Sequence, residues 1–186
     1  MQVQVHLNEP FYLPGSVVRG TISLSPSPTE SSQSPSSSSN SAPSKQIVIS
    51  WLAVQLYGCR HVGAQWAGSH VSVPESSTRS FTRPLLLPHL TAPPADFEFP
   101  SLPVASHLFA SVPALLLHQT PISPPFSHQR VHFEVALPKN NLLSSYRGRS
   151  LRVWYTLVTV LKLDSQAPLT CKTSVRVLVP RAPSPT

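Results

Sequence analysis

Histidine and cysteine side chains are spaced in this sequence so that metal binding is the first chemistry to consider. His128 and His132 are four residues apart, and Cys59 and His61 are two apart. Imidazole and thiolate groups are common ligands of zinc and other transition metals. However, the local pattern has the period of two that is typical of strands, and no carboxylate completes either pair. We therefore expect exposed or hydrogen-bonded histidines, with neither a metal nor another cofactor.

The sequence also lacks the residue arrangements needed for nucleophilic or acid–base catalysis. The chain has no G-x-S-x-G sequence around a nucleophilic serine and no G-x-x-x-x-G-K-[ST] loop to hold phosphates. Of the 7 acidic residues, Glu134 alternates outward on a strand and Asp164 follows a strand at a turn. No pair of carboxylates is placed for general acid and base roles. The sequence therefore predicts a non-catalytic protein with no small-molecule substrate.

The cysteine count and the chain start indicate a cytoplasmic location. Cys59 and Cys171 form no C-x-x-C pair, and two thiols cannot complete a structural zinc site. The first residues lack the charged and apolar regions of a signal peptide, and no apolar run approaches the roughly 20 residues that cross a bilayer. We expect both cysteines to be buried strand residues rather than a disulfide.

A net charge of +7 raises the question of nucleic-acid binding. The basic residues are scattered, with no run of three, and aromatic residues do not alternate with them as they do on a stacking surface. We expect Trp51 and Trp154 to lie in the core. The sequence thus predicts no nucleic-acid partner, while weak attraction to an anionic membrane surface is compatible with the charge.

Alternating apolar residues predict strands at both ends of the chain. One face of each predicted strand is formed by Val3, Val5 and Leu7, by Val18, Ile22 and Leu24, and by Val131, Phe133, Val135 and Leu137. Residues 47–54 and 151–163 are apolar on both faces, which is typical of central strands. From Gln55 we expect alternation, with Leu56 and Cys59 inward. Antiparallel strands in two layers follow, which predicts an all-β, immunoglobulin-like sandwich.

Proline and serine interrupt this pattern in three segments. Residues 25–44 contain 11 serines and 4 prolines, and residues 84–125 contain 10 prolines. Such segments bury too little apolar area to offset the entropy of ordering, so we predict disordered insertions at 25–44 and at about 84–125. Short edge strands are predicted at 70–73 and 79–83. The prediction is one domain over 1–180, followed by a tail at 181–186.

Two stretches resemble the amino-terminal domain of the arrestin-like superfamily. That family has an aromatic residue, a proline–glycine turn and a V-x-G-x-(V/I)-x-(L/V) strand, here Tyr12, Pro14, Gly15, Val18, Gly20, Ile22 and Leu24. It also has a P-S-(F/Y)-(R/K)-G connector before a long strand, here Ser145, Tyr146, Arg147, Gly148, Val153, Tyr155 and Leu157. The resemblance implies an arrestin-like sandwich. Family members normally have two such domains, so it also leaves open whether a second domain follows.

Within the superfamily, the sequence is most similar to the retrograde Golgi transport (reduced-growth-phenotype) family. These are arrestin-like subunits of a Golgi complex that activates a Rab GTPase. The resemblance implies a large β-propeller-containing partner subunit, a Rab GTPase, and peripheral association with the Golgi membrane. Exchange activity would belong to the complex, which supports endosome-to-Golgi retrograde transport.

Two alternatives stay open. The chain could instead be an arrestin-domain adaptor for membrane-cargo sorting or ubiquitin-ligase recruitment, although it lacks the P-P-x-Y motif that recruits ligases. Arg147 and Arg149 could face a partner. The favoured interpretation is structural, with Gly148 shaping the turn, Tyr146 covering the end of the sandwich and the arginines solvated.

Overall fold

Two antiparallel sheets form the structure, a computed structural model that describes residues 1–25, 47–62, 85–90, 92–98, 107–122, 129–164 and 166–180. The nine strands are β1 (Gln2–Leu7), β2 (Val17–Ser25), β3 (Ile47–Val62), β4 (His107–Ala110), β5 (Ala114–Ile122), β6 (Gln129–Ala136), β7 (Tyr146–Arg147), β8 (Leu151–Leu163) and β9 (Leu169–Val175). Over these residues no helix is long and apolar enough to cross a membrane. The prediction of an all-β antiparallel sandwich is confirmed.

The smaller sheet has the order β1-β2-β6 and follows the predicted alternation. Val18, Ile22 and Leu24 of β2 are buried, as are Phe133 and Val135 of β6, while the alternate residues Arg19, Thr21, Ser23 and Glu134 are more exposed. Strands with one apolar face must pack that face against another layer. In this sheet they pack on the larger sheet and form the main core with it.

The larger sheet is built around β3 and β8, which pair along almost their whole length. β5 and β4 follow each other along the free edge of β3, and β9 and β7 follow each other along the free edge of β8. Both central strands are buried on both faces. In β3 this burial continues to Cys59, so the predicted change to alternation at Gln55 is wrong.

A second apolar cluster explains why the outer face of the larger sheet is buried. Trp51, Tyr57 and Cys59 belong to it, together with Val158 and Val160 of β8. The non-strand segments at 85–90 and 92–98 cover this cluster with Leu86, Leu87, Leu90 and Phe97. The ring centroids of Trp51 and Phe97 are 5.0 Å apart. Trp51 therefore lies in the core, as predicted, whereas Trp154 is only partly buried and packs against the cluster.

The predicted disordered insertion at about 84–125 is wrong for much of its length. It contains β4 and β5, and β5 pairs with β3 from Ile122↔Ile47 to Ala114↔Val54. Pro121 is tolerated because β5 lies at the edge of the sheet, where a strand needs ladder hydrogen bonds on one side only. Ser25, the first residue of the other predicted insertion, ends β2. Residues 26–44, the predicted edge strands and the 181–186 tail lie outside the described residues.

A buried polar contact fixes the β4–β5 connection to β3. The Gln55 amide Nε2 donates a hydrogen bond of 2.7 Å to the Ser111 carbonyl, and the Leu56 amide donates one of 2.9 Å to the Ser111 hydroxyl. The Tyr57 hydroxyl donates to Gln55 Oε1 at 2.7 Å. Burying a polar group is unfavourable unless it is hydrogen-bonded. These partners therefore allow the Gln55 side chain to lie in the core.

Candidate functional site

The first family-motif stretch forms a tight turn between β1 and β2. The Ser16 amide donates a hydrogen bond of 3.0 Å to the Leu13 carbonyl, and Gly15 has a φ of 77°. This is the geometry of a type II turn, in which glycine accepts the positive φ without strain and Pro14 suits the preceding position. The Gly15 amide also donates to the Pro138 carbonyl at 2.9 Å, which fastens the turn to the chain leaving β6.

Tyr12, the aromatic residue of the motif, joins the two sheets. It is 1% exposed, and its hydroxyl donates to the Arg19 carbonyl at 3.0 Å. Its amide donates to the Arg176 carbonyl and its carbonyl accepts from the Leu178 amide, both at 2.9 Å. Tyr12 thus forms a parallel bridge with Val177, in the segment that continues from β9. The chain before β2 is therefore bonded to the chain that leaves the larger sheet.

Two serines bond the other side of that same segment. The Val177 amide donates to Ser145 Oγ and the Val179 amide donates to Ser144 Oγ, both at 2.9 Å. In addition, the Ser145 amide donates to the Val177 carbonyl at 2.8 Å. Residues 176–179 consequently run between Tyr12 and the two serines. We call this contact among residues 12, 144–145 and 176–179 the junction.

Tyr155 holds the connector that supplies these serines. Its fully buried side chain reaches Leu143, where the hydroxyl donates to the carbonyl and accepts from the amide at 3.2 Å. Burial raises the pKa of Tyr155, and the hydrogen bond that the Leu143 amide donates to its oxygen opposes that rise. Tyr155 is thus a structural anchor between the core and the junction.

An open cleft lies beside the junction, where β8 changes its neighbour. β9 pairs with β8 as far as Val175 opposite Tyr155, and β7 pairs with it from Tyr146 opposite Val153. Because the chain after Val175 turns away into the junction, an opening of about 670 Å³ remains beside Trp154. We call it the basic cleft, and its charged and aromatic lining consists of His61, Tyr146, Arg147, Arg152, Trp154 and Arg176.

Basic side chains form a row across the cleft. Arg152 lies opposite Arg147 in the β7–β8 ladder and opposite His61 in the β3–β8 ladder. Side chains at paired positions lie on the same face of a sheet, and like charges directly opposite each other raise the free energy of the folded protein. Arg176, one residue beyond the Val175–Tyr155 pair, adds a third guanidinium to the lining, and the described residues contribute no carboxylate to it.

Gly148 closes the turn at the rim of the cleft. Its amide donates to the Leu151 carbonyl at 2.9 Å. A Cβ at this position would lie 2.6 Å from Tyr146 Cε1, because the Tyr146 ring lies against the glycine. Tyr146 is 57% exposed, so the prediction that it covers the end of the sandwich is wrong, since the ring packs on Gly148 instead. Arg147 is exposed as predicted and also lines the cleft.

The remaining motif glycine, Gly20, lies at the centre of the smaller sheet. It pairs with Leu7 on one side and Phe133 on the other, and the Phe133 ring occupies the space that a side chain at Gly20 would need. The predicted motif residues therefore divide into two groups. Most shape turns, strands and the junction, whereas Tyr146 and Arg147 are exposed at the cleft.

The residues considered for metal binding are not brought together. Cys59 is buried in the second cluster, where burial raises the pKa of its thiol to about 11, and Cys171 is partly exposed on β9. His132 Nδ1 lies 3.2 Å from Thr21 Oγ1 on the smaller sheet, and His128 lies outside the described residues. Where the chain is described, no group of three potential ligands could hold a metal ion.

The two acidic residues considered for catalysis have local partners. Glu134 faces outward, as predicted, and its Oε1 accepts a hydrogen bond of 2.9 Å from Arg19 Nε. Asp164 lies in a turn, also as predicted, and accepts a hydrogen bond from the Ser50 hydroxyl. Both carboxylates therefore stabilise local structure.

Sequence reasoning did not assemble the basic cleft, because the cleft depends on how three strands pair. The available signal was the hexapeptide "RGRSLR", Arg147 to Arg152, in which arginines flank a glycine turn. Interpreted as a tight hairpin, it would have placed Arg147 opposite Arg152. The contributions of His61 and Arg176 required the β3–β8 and β8–β9 registers.

Comparisons with known proteins give structural likenesses but no match in sequence. No protein-family model matches the chain, and no curated protein matches it in sequence. Among solved structures, the chain is similar to Spo0M, the sporulation control protein of Bacillus subtilis, with 15% sequence identity and a TM-score of 0.45. The match covers 95% of this chain and 48% of the Spo0M chain, so this chain spans about half the length of Spo0M. A likeness of this size carries no argument about family or function.

Proposed function

We propose that this protein is a non-catalytic, arrestin-like docking subunit of a Golgi complex that promotes nucleotide exchange on a Rab GTPase. The proposal begins with the two stretches that resemble the family. Their residues support it through their structural roles: Gly15 occupies a turn that requires a positive φ, and Tyr12 and Tyr155 hold the junction. These are the roles expected of motif residues that define a scaffold.

The observation that carries the docking role is the basic cleft. Arg147 and Arg152 lie opposite each other in the β7–β8 ladder, and among the described residues no carboxylate lines their cleft. Repulsion between such groups costs stability in the isolated chain. An anionic partner would offset that cost. The arginines of the cleft are therefore better explained by binding to a partner than by a contribution to folding.

The family resemblance implies two partners, a large β-propeller-containing subunit and a Rab GTPase. The chain would bind them in the cytoplasm, at the surface of the Golgi membrane. In this proposal the chain positions other subunits, and nucleotide exchange belongs to the assembled complex. We assign no exchange residue to this chain. The endosome-to-Golgi retrograde route is the transport step that the complex would serve.

The test combines purification with an exchange assay. The tagged full chain is expressed in cells, and its partners are purified and identified by mass spectrometry against a tag-only control. We expect a β-propeller-containing subunit and a Rab GTPase. The purified complex should also release fluorescent GDP from that Rab faster than the same complex depleted of this chain.

Two results would contradict the proposal. One is recovery of neither partner, and the other is an exchange rate that does not depend on this chain. Recovery of membrane cargo with a ubiquitin ligase would instead support the adaptor alternative.

A further inference from the structure

We propose that the basic cleft binds an acidic, extended segment of a partner protein, with the guanidinium groups of Arg147, Arg152 and Arg176 contacting its carboxylates. This inference rests on the proposed docking role and adds the chemistry of the partner to it. The juxtaposition that carries it is the meeting of β7, β8 and the chain after β9 around one opening.

Charge complementarity is the first argument. Arg147 and Arg152 are paired residues of an antiparallel ladder, so their side chains start from neighbouring positions on one face. Guanidinium groups bind carboxylates through two parallel N–H···O bonds, which lysine cannot do. Two guanidinium groups in register, with a third from Arg176 in the same lining, match carboxylates on successive outward positions of an extended chain.

The shape of the site favours a peptide over a lipid surface. The arginines line an opening between β7 and the end of β9, and Trp154 lines the same opening. The three arginines are exposed at this opening, which a single extended chain can enter and a bilayer surface cannot. The exposed ring of Tyr146 at the rim provides apolar contact area beside the charges.

The sheet edge offers main-chain contacts as well. In the strand order of the larger sheet, β7 is terminal and pairs with β8 alone among the described strands. An edge strand presents backbone N–H and C=O groups that an added strand can pair with. β7 has two residues, Tyr146 and Arg147, so such pairing would set the direction of the segment while the arginines select its charge.

A titration of the purified full chain with peptides tests the inference. The probe is a short peptide that alternates Glu with Ser, and the control peptide has Gln in place of every Glu. We expect binding of the Glu peptide by isothermal titration calorimetry, with an affinity that falls as the salt concentration rises because exposed charge interactions are screened. No measurable binding of the Glu peptide would overturn the inference.

Matched variants locate the binding. The double variant Arg147→Gln/Arg152→Gln removes both charges while keeping side-chain length similar. We expect it to weaken binding of the Glu peptide by about tenfold or more, since charge-assisted hydrogen bonds are among the stronger polar contacts. The control is Arg130→Gln, which removes an exposed charge from β6 in the other sheet and should leave affinity unchanged. An equal loss of binding free energy per removed charge in the two variants would overturn the inference, because it would show attraction to overall charge.

Two further comparisons distinguish a peptide from a lipid as the source of negative charge, and the cleft assignment from the proposed function. Vesicles of phosphatidylcholine and phosphatidylserine are tested with the same variants, and arginine-dependent binding to vesicles without binding to the peptide would overturn the peptide assignment. Peptide binding that depends on Arg147 and Arg152 supports the cleft even if cells yield no Rab complex. Recovery of the Rab complex with no peptide binding would retain the proposed function and overturn the cleft assignment.

Discussion

Replacing Gly20 by alanine tests whether close packing in the smaller sheet depends on a missing side chain. Gly20 lies in the middle strand, and a Cβ there would overlap the His6 carbonyl oxygen and lie 2.6 Å from Phe133 Cζ. The Phe133 ring is 2% exposed and the carbonyl belongs to the strand backbone, so neither group has free space to move into. Gly20→Ala should therefore strain the sheet at its centre.

The expected loss is about 2 kcal/mol. Overpacking a well-packed core costs about 1–3 kcal/mol, and a clash with backbone belongs in the upper part of that range. Replacing a glycine also lowers the conformational entropy of the unfolded chain, which stabilises the folded state by about 0.4–1 kcal/mol. A net loss of about 2 kcal/mol lowers the ratio of folded to unfolded protein roughly 30-fold.

Urea unfolding, followed by tryptophan fluorescence, measures this loss. With a slope of about 1–3 kcal/mol per molar urea, the midpoint should fall by roughly 1 M. The matched control is Gly148→Ala, whose new Cβ has the far end of the Tyr146 side chain as its nearest contact, and that side chain is 57% exposed. Equal midpoints for the two variants, or a Gly20→Ala midpoint equal to that of the wild type, would refute the packing argument.

Three other outcomes follow from contacts already described. Tyr155→Phe should lower the free energy of unfolding by about 1–2 kcal/mol in the same urea assay, because Leu143 loses the partner of both its carbonyl and its amide; an unchanged midpoint would contradict this. Arg19→Gln should cost less than about 0.5 kcal/mol, since the side chains of Arg19 and Glu134 are 55% and 64% exposed, and a larger loss would show an unexpectedly strong ion pair. Stability should decline as the pH rises from about 9 towards 11, because burial raises the pKa of Cys59 to about 11 and raises that of Tyr155, so the unfolded chain releases these protons first. Denaturation over a pH series tests this, and a flat profile would contradict it.

The half-buried strands could be predicted because their burial alternates with the side-chain period. β1, β2 and β6 each bury one face, so Val18 and Phe133 stand out among polar neighbours. β8 was recognised as central because apolar residues occupy both of its faces.

The cover over the larger sheet could not be predicted in the same way. Phe97 and the neighbouring leucines lie in non-strand segments, so no periodic pattern connects them with Trp51. β5 was missed because Pro121 and the surrounding prolines favour a loop, although an edge position allows proline in a strand. The basic cleft was missed for a related reason: pairing between distant strands determines which arginines become neighbours.

The most direct test of the docking role is how much of each partner is recovered with variants of the basic cleft. The tagged wild-type chain, Arg147→Gln/Arg152→Gln and Arg130→Gln are expressed at equal levels, and the β-propeller-containing subunit and the Rab GTPase are quantified in each purification. The account predicts that wild type and Arg130→Gln recover both partners, while the double variant recovers at least about tenfold less. Equal recovery by all three proteins, with equal urea midpoints, would contradict a docking role for the cleft.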